Sequence, residues 1–172
     1  MNKHQIRTIV EGDADQLIAL WNTTWTATYG PSLGNDSLAH MLGELALKKT
    51  SGMLPGNGER GICLVDGDEI VGSVIVAARG SKAYLWGLYI EPRHQRRGLG
   101  SKLLAASSDG LPEETDIEVR VLLTSTSAIS FYKKHGFVEA ETERTELPGG
   151  VIASTAVMVA CAADIGAVLG SS

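Results

Sequence analysis

A short basic segment with two glycines, Gln95-Arg96-Arg97-Gly98-Leu99-Gly100, joins an apolar run from Tyr84 to Ile90 to a helix-like run that starts near Gly98. A strand that passes through a tight loop directly into a helix forces a crossover, because the helix must return the chain across the sheet before the next strand begins. The flanking strands, Ser81 to Glu91 and Ile117 to Leu123, are therefore expected to run parallel. The loop also has chemistry of its own. N–H groups at a helix N-terminus lack intrahelical partners, and the helix dipole adds partial positive charge there. Gly98 and Gly100 remove side chains that would hold a phosphate away from the backbone. A pyrophosphate cradle is the natural reading.

Hairpin signals surround this crossover. Ile6 to Val10 is strand-like, and Asp13 followed by Gln16 resembles a capping box opening a helix that runs to about Tyr29 and stops before Pro31. Trp21, Trp25 and Tyr29 recur every four residues and share one face of that helix. Ser37 to Lys48 reads as a second helix and Thr50 to Arg60 as a loop. Gly61 to Val65 and Glu69 to Ala78 form a hairpin through Asp66-Gly67, and Arg79-Gly80 turns into the next strand. The Gly98 helix carries Leu99, Leu103 and Leu104 and closes at Gly110 and Pro112. Thr126 to His135 is a short helix ended by Gly136. Phe137 to Glu146 and Val151 to Ala160 form a last hairpin that turns at Pro148-Gly149-Gly150. The order β-α-α-β-β-β-α-β-α-β-β implies a mixed, mostly antiparallel seven-stranded sheet with helices on both faces.

Bulk properties narrow the class. A chain of 172 residues with no internal repeat or linker fits one domain, residues 1–172. A net charge of −5 argues against nucleic acid as a partner, since that requires a broad basic face. Arg93, Arg96, Arg97 and Lys102, with His94, form a local basic cluster suited to a small anion. Cys63 and Cys161 are too few for a disulfide framework and lack metal-ligand company, so no metal is expected. The N-terminal residues contain no apolar signal-peptide core. Val151 to Leu169 is apolar, but Ser154, Thr155, Asp164 and Gly166 interrupt it, and it reads as a strand plus a tail, not a membrane span. A cytoplasmic enzyme with no membrane partner is the expectation.

Two segments together resemble the GNAT superfamily of acyl-CoA-dependent N-acyltransferases. One is Leu88-Tyr89-Ile90-Glu91-Pro92 followed by Gln95-x-x-Gly98-x-Gly100. The other is Ala128-Ile129-Ser130-Phe131-Tyr132-Lys133-Lys134-His135-Gly136-Phe137, matching Ala-x-x-x-Tyr-x-x-x-Gly-Phe. The resemblance implies a GNAT-like α/β (mixed α+β) fold with a splayed parallel strand pair, and acetyl-CoA as co-substrate. Its pyrophosphate would rest on the N–H groups of Gln95, Arg96, Arg97, Gly98, Leu99, Gly100 and Ser101, with the two arginines as charge partners. Its pantetheine arm would pair with the backbone of Leu88 and Ile90, while an N–H near Leu88 and Tyr89 polarises the thioester carbonyl. Tyr132 corresponds to the family's general acid, which protonates the departing sulfur. Ser125 stands where many relatives have a pantetheine-binding Asn, and offers a shorter hydroxyl.

The same resemblance implies an N-acetyltransferase acting on a primary amine, preferably of a small molecule, by direct attack in a ternary complex. No cysteine is placed to carry the acetyl group. A protein lysine or N-terminus is the alternative acceptor, and a non-catalytic acyl-CoA-binding or sensor module the alternative class. A homodimer is a family-level expectation. Many relatives carry a Glu base on the fourth strand, but Tyr84-Leu85-Trp86-Gly87-Leu88-Tyr89 holds no carboxylate. Glu91 lies close to the phosphate loop, and Glu118 reads as a surface residue. A water chain through backbone, Tyr or Ser groups is the favoured route for the amine proton. The acceptor pocket is expected from Trp21 to Tyr29, Ser32 to Asp36 and Glu141 to Gly150. Asp36, Glu141, Glu143 and Glu146 there would favour a cation.

Overall fold

The computed structural model describes residues 4–48 and 54–165. The first part of the Thr50 to Arg60 loop and the end of the C-terminal tail lie outside the described residues. Seven strands form one sheet in the order β1-β2-β3-β4-β5-β7-β6. They are β1 (Gln5–Thr8), β2 (Glu59–Asp66), β3 (Glu69–Arg79), β4 (Lys82–Ile90), β5 (Asp116–Leu122), β6 (Val138–Leu147) and β7 (Val151–Cys161). Among the described residues only β4 and β5 pair in parallel; every other neighbouring pair is antiparallel. The mixed sheet expected from the order of elements is the sheet observed.

Two helices cover each face. On one side, α1 (Ala14–Leu33) and α2 (Asn35–Lys48) bury Leu17, Trp21, Trp25 and Met41 against Cys63, Ile70 and Ile75. On the other, α3 (Leu99–Ser108) and α4 (Thr126–Lys134) bury Leu103, Leu104 and Tyr132 against Val74, Ile117 and Met158. Strand alternation explains how one sheet serves both layers, because successive side chains leave opposite faces. Ile62 and Leu64 accordingly join the α3 layer, whereas Cys63 and Val65 join the α1 layer. Close approach of α3 depends on Gly72 of β3, where a Cβ would sit 2.8 Å from Ile90 and 3.0 Å from Leu103.

Three local expectations change. Helix α1 continues through Pro31 to Leu33, ending at Gly34, whose N–H reaches the Gly30 carbonyl. Pro31 removes one ladder bond only a few residues before the end, where little helix remains to be lost. Asp13 and Gln16 form no capping box. Asp13 is buried, accepting two hydrogen bonds from Arg7 at 2.8 and 2.9 Å and one from the Val10 N–H at 2.8 Å. Gln16 instead accepts from the Ile70 N–H at 2.8 Å and so ties α1 to the β2–β3 hairpin. Strand β1 is shorter than expected, ending at Thr8. No helix among the described residues is long and apolar enough to cross a membrane.

Candidate active site

The parallel pair separates early. β4 and β5 are matched only at Lys82–Asp116, Ala83–Ile117 and Tyr84–Glu118, after which the strands part. A bulge in β4 coincides with the separation: Ser73 faces Tyr89 and Ile75 faces Trp86, so Gly87 and Leu88 together oppose Val74. Gly87 takes a left-handed φ of 61°, and a Cβ there would lie 2.8 Å from the Trp21 ring. Only glycine meets both demands. The bulge is also held from behind. Trp21 Nε1 donates to Ser73 Oγ at 3.1 Å, and Ser73 Oγ donates to the Gly87 carbonyl at 3.0 Å. With that carbonyl engaged, the β4 backbone from Leu85 to Ile90 is left without a β5 partner along the opening, a free edge for an extended ligand.

The loop after β4 closes on the strand it leaves. The Gln95 side chain donates to the Ile90 carbonyl at 3.0 Å. Arg96 adopts φ 61°, a left-handed conformation that costs a residue with a side chain roughly 1–2 kcal/mol. Gly98 follows at φ 73° and is the N-cap residue of α3. Alternating left-handed residues of this kind curl successive N–H groups toward one point, an anion nest continuous with the helix N-terminus. Space around the Gly98 Cα is open, with nothing within 4 Å of an added Cβ. Arg96 and Arg97 are exposed and form no ion pair among the described residues, so both remain available to a phosphate. Loop chemistry and open volume fit a pyrophosphate.

Tyr132 lies across the opening on α4, buried, with Phe131 and Phe137 edge-on at 5.2 and 5.1 Å. Burial pushes its phenol well above the ordinary value, and Tyr29 adds to the rise, so the hydroxyl keeps its proton at neutral pH. Phe131 comes within 3.3 Å of a Cβ placed on Gly100, which couples α4 to the loop. A second coupling was not evident from sequence. His135 Nδ1 donates to the Phe131 carbonyl at 2.7 Å, leaving Nε2 to accept from Ser101 Oγ at 2.8 Å. Ser101 thus keeps its backbone N–H for the nest while its hydroxyl fastens α3 to α4. Ser125 is the N-cap residue of α4, and its hydroxyl makes no capping bond.

Residues 57–139 match the model of the acetyltransferase (GNAT) domain, a span running from the start of β2 into β6 and including the bulge, the nest and Tyr132. That match and the fold together support a GNAT superfamily acetyltransferase. Solved structures agree on the fold. PaiA N-acetyltransferase from Thermoplasma acidophilum in complex with coenzyme A superposes with a TM-score of 0.68 at 18% identity, covering 92% of this chain and 99% of that one. Ribosomal-protein-S18-alanine N-acetyltransferase from Escherichia coli gives 0.67 at 18%, covering 92% and 94%. Spermidine N-acetyltransferase from Vibrio cholerae, in complex with CoA and spermine, gives 0.64 at 19%, covering 94% and 97%. No curated protein matches the sequence.

Helices α1 and α2 pack on the opposite face of the sheet, where the candidate acceptor side lies. Tyr89 points here, not toward the nest: its ring meets Trp21 edge-on at 5.4 Å, and its hydroxyl is 3.4 Å from that of Tyr29. Burial raises both phenols, that of Tyr89 well above its ordinary value. The β6–β7 turn docks on α2, with the Gly149 N–H donating to Glu44 and the Gly149 Cα packed on the His40 backbone. Leu147 and Val151, at the two ends of that turn, join the same apolar cluster as Trp86 and Tyr89. Among the expected acidic residues, Glu143 is engaged by Arg120, which also meets Glu118 at 3.0 Å.

Neither carboxylate considered as a base fits the role. Glu118 is buried, not on the surface, and is held between Lys82 at 3.5 Å and Arg120. Glu91 turns away from the opening. Although burial opposes the effect, hydrogen bonds from Arg93 and His94 hold its carboxyl below the ordinary value, which makes it a weak base. The cysteines are no better placed as acetyl carriers. Burial pushes Cys63 up to about 11, and Cys161 donates to the Glu113 carbonyl at 2.8 Å.

Proposed function

We propose that residues 1–172 work as one acetyl-CoA-dependent N-acetyltransferase that acetylates a primary amine of a small molecule by direct attack. The observation that carries this reading is the coincidence of three features at one place: the β4–β5 separation, the pinned Gly87 bulge and the left-handed Arg96–Gly98 nest. Acetyl-CoA supplies an activated acetyl thioester. The nest and the two arginines bind its pyrophosphate, and the free edge of β4 at Leu88 and Ile90 holds its pantetheine arm extended toward the bulge. An N–H at Leu88 or Tyr89 donates to the thioester carbonyl oxygen as negative charge builds there. Tyr132 keeps its phenolic proton until the carbon–sulfur bond breaks, then passes it to the departing sulfur. Ser125 steadies the arm from the α4 side.

The amine proton leaves by a route without a carboxylate. Tyr89 and Tyr29, with hydroxyls in contact, are suited to relay a proton as neutral phenols to water at the rim. They are unsuited to act as phenolate bases, since burial holds both protonated. A small acceptor is supported by the docking of the β6–β7 turn on α2, which bounds the aromatic floor of Trp86 and Tyr89. The test is release of free CoA thiol at fixed acetyl-CoA across a panel of small primary amines and peptides. Amine-dependent release, fastest with a small amine, is expected. Acetyl-CoA binding with no amine-dependent release would reduce the protein to a binding module.

A further inference from the structure

Beyond the acetyl-transfer site, the fold gathers three potential metal ligands from distant parts of the sequence. His4 precedes β1, Asp66 ends β2, and His94 closes the turn after β4. Asp66 Oδ2 lies 3.3 Å from His94 Nε2 and 3.7 Å from His4 Nε2. All three ligand atoms lie within 4.8 Å of one another. Ligands about 2.0–2.1 Å from a tetrahedral ion stand about 3.4 Å apart, so this spacing needs only a small contraction.

The hydrogen bonding around the cluster leaves two of its polar atoms unsatisfied among the described residues. His94 Nδ1 donates to Glu91 Oε2 at 2.7 Å. A neutral His94 then carries a lone pair on Nε2, facing a carboxylate oxygen, and that contact is repulsive unless a cation stands between them. His4 Nε2 and Asp66 Oδ1 are buried and have no hydrogen-bond partner among the described residues, a state that ordinarily costs folding free energy. Glu91 supplies what a metal-ligating imidazole usually has, a carboxylate that fixes its tautomer and aims its other nitrogen. Glu91 is itself held by Arg93 Nε at 2.9 Å. The ligand side chains retain 13–17% exposure, enough for water to complete the coordination.

We infer that His4, Asp66 and His94 form a divalent transition-metal site of the Zn²⁺ class, oriented by Glu91. Two imidazoles and one carboxylate favour Zn²⁺ or its neighbours over Ca²⁺ or Mg²⁺, which prefer oxygen ligands. Because His94 immediately precedes Gln95, the ion would fasten the chain before β1 and the β2–β3 turn to the start of the nest. The expectation of no metal rested on the two cysteines, whereas these ligands are separated by 62 and 28 positions and are brought together by the fold.

The test uses the full chain stripped with a chelator and titrated with Zn²⁺ by calorimetry and with Co²⁺ by visible absorption. Expected are one saturable site, a tetrahedral Co²⁺ spectrum, and a melting temperature raised by about 5–10 °C at a hundredfold excess of Zn²⁺ over Kd. Asp66→Asn and His94→Gln should each abolish the Co²⁺ spectrum and the thermal shift, whereas His40→Gln, on α2, should keep both. No saturable binding to the unaltered chain would overturn the assignment and leave a protonated histidine as the occupant. Binding retained in both Asp66→Asn and His94→Gln would overturn it equally.

Discussion

The two faces of the sheet achieve rigidity by different means. On the α3/α4 face the groups that would meet the donor are mostly backbone: the free edge of β4, the Arg96–Gly98 nest and the first turn of α3. Gln95 on Ile90 holds them locally, and Phe131 beside Gly100 and His135 on Ser101 hold them from α4. On the α1/α2 face the candidate acceptor surface is made of side chains, Trp21, Tyr29, Trp86 and Tyr89, drawn from segments more than fifty residues apart. A backbone-built site tolerates wide drift in sequence while keeping its ligand. A surface built from side chains changes specificity with each replacement. The fold is shared with solved structures under 20% identical to this chain.

Substitutions can break this contrast at graded strength. Tyr132→Phe should lower kcat by about 10²–10⁴-fold with acetyl-CoA affinity almost unchanged, because it removes a proton donor and no backbone contact. Steady-state turnover beside calorimetric titration checks this, and near-normal kcat would remove Tyr132 as the acid. Ser73→Ala is the sharpest probe of how the two faces communicate. It strands the Trp21 Nε1–H and releases the Gly87 carbonyl, so it should destabilise the fold by about 1–3 kcal/mol in urea unfolding and also lower kcat. A loss of stability with unaltered kcat would separate the bulge from catalysis.

Asp13→Asn should act on stability alone. Arg7 holds the Asp13 carboxyl below its ordinary value, so the stabilisation it contributes is complete above the unfolded value near pH 4 and is lost as pH falls through the lower folded value. The variant should be less stable by about 1–3 kcal/mol at pH 7, and the gap should close in acid. A gap that stays constant down to pH 2 would contradict the pairing. Ser125→Ala should have the smallest effect, about tenfold or less in acetyl-CoA affinity, since one neutral hydrogen bond is at stake. A larger loss would give the α4 side a greater share in holding the donor.

What the sequence revealed follows the same division. The nest, the crossover helix and the Tyr132 segment were legible because backbone-built features need glycine at fixed spacing and a helix directly after a strand. The parallel direction of β4 and β5 followed from the same pattern, and their splay was what the family resemblance implied. The Gly87 bulge was not legible, because its need for glycine arises from Trp21, far away in the chain. Asp13 was misread as a cap because its true partner, Arg7, lies on the preceding strand and outcompetes a helix N–H for the carboxylate. Glu118 looked like the polar half of a surface alternation, yet it is buried between Lys82 of the neighbouring strand and Arg120. Pro31 looked like a stop, but so near a helix end its missing N–H matters little.

Donor binding is expected to rest on backbone geometry around Gly98, and calorimetric titration of acetyl-CoA into Gly98→Val checks it. The site is open, so valine meets no steric obstacle, but a β-branched residue resists φ 73° and would turn the nest N–H groups away. With two or more hydrogen bonds to a charged group lost, affinity should fall by about 100-fold or more while circular dichroism stays native. Affinity equal to that of the unaltered chain, in a variant that remains folded, would contradict the account.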